Sequence, residues 1–122
     1  MNSDQIVSKY PHLFQKVKHI DCGPGWYDLI DKLCSVIMQE VEYMPAELSS
    51  KLYISQIKEK FGALRFYMEE STPYIVGAIR MAEWVSYTIC EECGARGTAR
   101  HSGWTKVLCD EHHANRESNK RL

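Results

Sequence analysis

The chain has 122 residues, 44% hydrophobic and 25% charged, with a formal net charge of −1. That balance is globular and excludes an intrinsically disordered chain. It also weighs against a non-specific nucleic-acid binder, which carries a basic excess, and against an acidic nucleic-acid mimic. No run of about eighteen apolar residues exists, so no membrane span is expected. The opening Met1-Asn2-Ser3-Asp4-Gln5 lacks the basic-then-apolar layout of a signal peptide. Five cysteines, an odd number, suit a reducing cytoplasm better than a secreted disulfide scaffold.

In chain order, residues 1–19 read as a short helix and its connection, with Tyr10-Pro11 ending the helix. Asp21-Cys22-Gly23-Pro24-Gly25 is a dense turn signal. Behind it, Trp26, Leu29, Ile30, Leu33, Ile37 and Val41 recur at three- and four-residue steps, predicting a helix with one apolar stripe. Cys34 falls beside that stripe and reads as a small buried side chain. Cys22, at a helix entry, is a weak candidate for an activated thiol, because no histidine or second thiol neighbours it.

Met44-Pro45 breaks the chain, and residues 46–50 suit a single turn. Residues 52–58 predict a strand, 59–62 a turn and 63–68 the returning strand. Leu64, Phe66 and Met68 would share the inner face of this hairpin. Lys58, Arg65 and Tyr67 would share the outer face, as a candidate contact surface. Thr72-Pro73 marks a helix start, followed by a stripe of Ile75, Val76, Ile79, Ala82 and Val85 that Trp84 and Tyr87 would widen.

That second helix runs into the stretch carrying the chemistry. Cys90-Glu91-Glu92-Cys93-Gly94 and Cys109-Asp110-Glu111-His112 together read C-x2-C-x15-C-x2-H. Two pairs of soft ligands separated by a hairpin-length insert are what a tetrahedral zinc site requires. Cys90, Cys93 and Cys109 fill three positions; His112 has the better spacing for the fourth, and His113 is the alternative or an outer hydrogen-bonding partner. The insert predicts a strand over 98–101, a turn at Ser102-Gly103 and a strand over 104–108, and a helix is predicted over 110–119. The expected fold is therefore α+β: two main helices packed on a β-hairpin (residues 1–89), with a C-terminal treble-clef-like zinc module (90–122) continuous with the second helix. One structural Zn2+ is the implied cofactor. In small peptides such a site contributes roughly 10–16 kcal/mol.

A filled Cys3His shell leaves no open position for water or substrate. The other catalytic signatures fail too. A zinc deaminase needs a histidine where Met81 stands in Met81-Ala82-Glu83. H-E-x-x-H, a Walker loop and a dinucleotide fingerprint do not occur. No histidine and acidic set stands out for the catalytic metal of a zinc-finger nuclease.

Four blocks carry a resemblance: Gly25-Trp26-Tyr27-Asp28-Leu29-Ile30; Gln56-Ile57-Lys58-Glu59-Lys60-Phe61-Gly62-Ala63-Leu64-Arg65-Phe66-Tyr67; Ala82-Glu83; and the Cys90-x2-Cys93-Gly94, Gly103-Trp104, Leu108-Cys109-x2-His112 series. Over residues 20–113 the chain resembles a group of small uncharacterised proteins of phages, prophages and their bacterial hosts. The resemblance implies a setting and no mechanism. The expected function is a non-enzymatic, zinc-stabilised protein-interaction module, in that setting an inhibitor or regulator of a host defence or nucleic-acid-processing protein. Lys58, Arg65, Tyr67 and Trp104 are its candidate partner-binding residues, since exposed aromatics with arginine make interface anchors. The alternative is a nucleic-acid-binding zinc protein using Arg96, Arg100, Lys106, Arg116, Lys120 and Arg121, or, behind it, a metal-dependent nuclease or hydrolase.

Overall fold

The structure, a computed structural model, describes residues 1–120. The described residues form helices α1 (Ser3–Lys9), α2 (Tyr27–Val41), α3 (Ala46–Ser49), α4 (Pro73–Ser86) and α5 (Asp110–Lys120). Strands β1 (Ile54–Lys60) and β2 (Ala63–Met68) pair antiparallel, as do β3 (Thr98–Arg100) and β4 (Lys106–Leu108). The architecture is α+β, with α2 and α4 packed together, α4 lying on the first hairpin, and the Cys/His segment following α4.

Helices α1 and α4 start at side-chain caps. Asn2 and Gln5 form a reciprocal capping box at α1. The Thr72 hydroxyl accepts the Ile75 N–H, and Pro73 occupies the first helical position of α4. A 3-10 turn, Pro24–Trp26, precedes α2. The α2 stripe of Ile30, Leu33, Cys34, Ile37 and Val41 is buried. Together with Trp26, Ile57, Leu64, Phe66, Ile75 and Ile79 it builds the core. No helix among the described residues is long and apolar enough to cross a membrane.

Besides the strands of the second hairpin, which are shorter than the expected 98–101 and 104–108, two expectations shift. The first strand begins at Ile54, later than residue 52, because Lys51 and Leu52 still donate back to Leu48 and Ser49 in the turn after α3. It also runs further, to Lys60, because the hairpin closes in two residues. Phe61 (φ 53°) and Gly62 (φ 89°) form a type I′ turn, whose twist matches that of the strands. Phe61 in this left-handed region is unusual for a bulky residue, and its ring lies exposed. The second shift is on α4. Its buried stripe is Ile75, Ile79, Ala82 and Ser86. Trp84 does not widen it: the indole is 70% exposed, on the opposite side, with Val76 and Met81 also outward.

The outer edge of β2 is closed by α4. The Leu64 N–H donates to Ser86 Oγ at 3.0 Å and the Phe66 N–H to Glu83 Oε2 at 3.0 Å. Unpaired edge groups that could recruit another strand are thereby satisfied by helix side chains. On the other side, the Asp21 N–H donates to the Ile57 carbonyl and the Asp21 carbonyl accepts from Glu59 N–H, so the turn before α2 covers part of the β1 edge.

Candidate metal centre

The C-terminal segment folds as two short turns, each presenting ligands, joined by a small hairpin. In the first, the Cys90 N–H donates to the Ala95 carbonyl and the Gly94 N–H to the Cys90 carbonyl. Gly94 takes φ 83°, a conformation that side chains other than glycine rarely adopt, and so lets the chain reverse directly behind Cys93. An Ile89–Arg96 bridge closes the base of this turn. Strands β3 and β4 then bring the chain back in register, with Thr98 opposite Leu108. Cys109 immediately precedes α5, and His112 lies in the first turn of that helix.

The four predicted ligands meet. The Cys90, Cys93 and Cys109 sulfurs and one histidine nitrogen all lie within 4.8 Å of one another. Cys93 Sγ is 3.8 Å from Cys109 Sγ, Cys90 Sγ is 3.8 Å from His112 Nδ1, and Cys109 Sγ is 3.2 Å from His112 Nδ1. In a tetrahedral site with zinc–sulfur bonds of about 2.3 Å, ligand atoms stand about 3.8 Å apart. The spacing therefore fits one metal ion, and the nitrogen nearest the sulfurs is His112 Nδ1. His113 is not in the cluster; its backbone N–H donates to the Cys109 carbonyl and its Nδ1 is buried with no partner among the described residues.

The electrostatics match a cation at the centre. Burial opposes ionisation of Cys90, but backbone hydrogen bonds from Cys109, Cys93 and Glu92 outweigh it and lower the thiol below its ordinary value. At Cys93 a backbone hydrogen bond at Ala95 favours the thiolate. Desolvation and the adjacent Cys90 and Cys109 thiols prevail there and raise it. Three sulfurs crowded this closely resist ionising together until a cation balances them. The His112 N–H also points at Cys109 Sγ, at 3.4 Å, which helps hold a thiolate.

The first ligand turn is seated in the body. The Gly23 N–H donates to Glu91 Oε2 at 2.9 Å, the Gly25 N–H to the Glu91 carbonyl at 2.7 Å, and Trp26 Nε1–H to the Ile89 carbonyl at 2.9 Å. A Cβ on Gly25 would lie 2.0 Å from the Cys90 carbonyl oxygen. The Gly23-Pro24-Gly25-Trp26 turn is thus the socket for the Cys90–Gly94 turn, a role its spacing in the sequence did not reveal. Glu91, only 4% exposed, completes the joint: its other oxygen, Oε1, faces Lys106 Nζ at 3.4 Å. Cys22 sits at this joint. Burial, and then the negative charges of Glu91, Asp21 and Glu59, push its thiol up to about 12, which removes it as a candidate nucleophile.

The remaining candidates separate into two groups. On the hairpin, Lys58 stands directly opposite Arg65 and Tyr67 opposite Gln56, so the outer-face residues adjoin. Trp104 precedes β4 and is 74% exposed; its neighbour Thr105 packs against Gly62 at the tip of the first hairpin. The cations of the nucleic-acid alternative behave differently. Arg100 binds the Leu108 carbonyl and Asp110, Lys106 faces Glu91, Arg116 donates to the Trp104 carbonyl, and Lys120 donates to Ser102 and pairs with Glu117. Only Arg96 of that set forms neither a side-chain hydrogen bond nor an ion pair among the described residues, and Arg121 lies outside them. In comparisons with known proteins, no family model, no curated protein and no solved structure matches the chain.

Proposed function

We propose that the chain is a non-enzymatic protein-interaction module whose C-terminal part is held together by one structural Zn2+, bound by Cys90, Cys93, Cys109 and His112 in a treble-clef-like turn–hairpin–helix arrangement. The observation that carries this reading is the donor set: three soft sulfurs and one imidazole at tetrahedral spacing. Thiolates favour zinc over hard cations such as Mg2+ or Ca2+. Four protein ligands complete the shell, so water and substrate have no place on the metal. The contact surface is the outer hairpin face with Lys58, Arg65 and Tyr67, together with Trp104. Tyr67 and Trp104 are exposed rings of the kind that anchor interfaces. The resemblance to phage and prophage proteins supports an inhibitor or regulator of a host protein as the setting, in the reducing cytoplasm where such thiols stay free.

The test is affinity capture from host lysate with nuclease treatment. A specific protein that survives nuclease, and is lost with Tyr67→Ala or Trp104→Ala while the zinc is retained, is the expected result. A partner that disappears on nuclease treatment would contradict the reading. Turnover of nucleic-acid or ester substrates with added Mg2+ or Mn2+ would contradict the non-enzymatic part.

A further inference from the structure

Two arginines of the body, Arg65 and Arg80, form no ion pair among the described residues; the Arg65 guanidinium donates to the Leu64 carbonyl at 3.1 Å. Six ion pairs join described residues, and none of them uses Lys58, Arg65 or Arg80. Arg65 is the residue they share: Lys58 stands opposite it on β1, and Arg80 lines a cavity with it. Lys58 and Arg65 are cross-strand neighbours, a like-charge pairing that is unfavourable on its own. Arg65 and Arg80 line one open cavity of about 340 Å³ with Glu83, Trp84 and Tyr87. The Trp84 and Tyr87 rings meet there at 5.7 Å between centroids, tilted by 48°. Trp84 is 70% exposed.

The carboxylate in this cavity is held in place. Glu83 Oε2 accepts the Phe66 N–H at 3.0 Å, while Oε1 accepts no hydrogen bond from a described residue. The cavity therefore combines three features: two arginines that form no ion pair (Arg65 on the sheet and Arg80 on α4), an exposed indole, and a fixed acceptor oxygen. Guanidinium and ammonium groups recognise phosphate. Exposed tryptophan stacks on bases. One free carboxylate oxygen accepts from the amino group of a base.

We propose that this cavity binds a nucleotide unit, with the base on Trp84 and its amino group toward Glu83 Oε1, and the phosphate at Arg65 and Arg80 with Lys58 beside them. Adenine, cytosine and guanine have the exocyclic amine; uracil does not, and binds more weakly. The unit is supplied either free or as part of a single strand. The site is separate from the Cys3His cluster, and it shares Lys58 and Arg65 with the proposed partner-binding face, so nucleotide and protein partner would compete there.

Tryptophan emission of the full chain, titrated with AMP, ATP, UTP, adenosine, inorganic phosphate and a ten-nucleotide adenine strand, tests it. Saturable quenching by ATP is expected, with adenosine and phosphate each far weaker and UTP weaker than ATP. Arg80→Ala and Trp84→Ala should each reduce affinity roughly tenfold, measured for Trp84→Ala by calorimetry, with circular dichroism and melting unchanged because both side chains are exposed. Trp104→Phe should leave affinity unaltered. Tighter, salt-sensitive binding of the strand identifies a single-stranded source; equal affinity for strand and ATP identifies a free nucleotide. Absence of binding by every probe at millimolar concentration overturns the proposal, and so does binding that persists in both Arg80→Ala and Trp84→Ala.

Discussion

A methyl group at Gly25 would collide with three backbone atoms of the first ligand turn: the Cys90 oxygen at 2.0 Å, the Gly94 nitrogen at 2.6 Å and the Glu91 carbon at 2.7 Å. None of these is the far end of a flexible side chain, so the turn must separate from the body. Gly25→Ala is expected to cost about 3 kcal/mol or more, read as a fall in the denaturation midpoint together with weaker metal retention. Gly77, inside α4, is the opposite case, since a Cβ there meets nothing within 4 Å. Gly77→Ala should stabilise by about 0.5–1 kcal/mol through helix propensity alone, a rise in melting temperature of a few degrees. A fall in melting temperature would contradict the open space around Gly77.

At the scale of elements, α4 joins the hairpin, and α1 joins α2, through side chains that reach across. Ser86 is fully buried; its hydroxyl accepts from Leu64 N–H and donates to the Glu83 carbonyl. Ser86→Ala leaves the Leu64 N–H without a partner and should cost about 1–3 kcal/mol, with exchange of the Leu64 amide accelerated first. Helix α1 is tied to α2 through Asp31, which accepts from Lys9 Nζ at 3.0 Å and from the Tyr10 hydroxyl at 2.8 Å. Burial works against this carboxylate, but the hydrogen bonds from Lys9 and Tyr10 outweigh it and hold its pKa below the ordinary value. A depressed native pKa contributes stability that is complete above the ordinary carboxyl value of about 3.9 and is lost as pH falls through the native one. Asp31→Asn should therefore lower stability at pH 7, by less than about 1 kcal/mol because the Lys9 side is half exposed, and the gap should close in acid. A difference that stays constant with pH would rule out the charged contact as its source.

For the molecule as a whole, the parts legible in the sequence were those set by short-range pattern. The α2 stripe, the Thr72-Pro73 start of α4, the returning strand from Ala63 and the grouping of Cys90, Cys93, Cys109 and His112 all follow from spacing a few residues long or from ligand pairs with one chemical purpose. The unread parts depend on partners far along the chain. The Gly23–Trp26 turn looks like an ordinary helix entry until Glu91, 68 positions away, is placed in it. The exposure of Trp84, by contrast, was legible in helical spacing, since Trp84 lies about 140–180° around α4 from Ile75, Ile79 and Ala82; its apolar character suggested burial instead. The two-residue closure at Phe61-Gly62 escaped because a bulky residue at positive φ contradicts local preference.

The joint between the Gly23–Trp26 turn and the Cys90–Gly94 turn would couple a metal bound at the Cys3His cluster to the body. Losing that metal should unfold β3, β4 and α5 first, and then loosen the Trp26 end of α2, while the remainder of α2 holds by its core contacts. The most direct measurement is the metal content of the purified chain, taken together with that of Cys90→Ser. One zinc per chain in the parent, lost in Cys90→Ser along with a lowered melting temperature, is the expected result. A parent chain without stoichiometric metal, or a Cys90→Ser chain with unchanged metal content and melting temperature, would contradict the account.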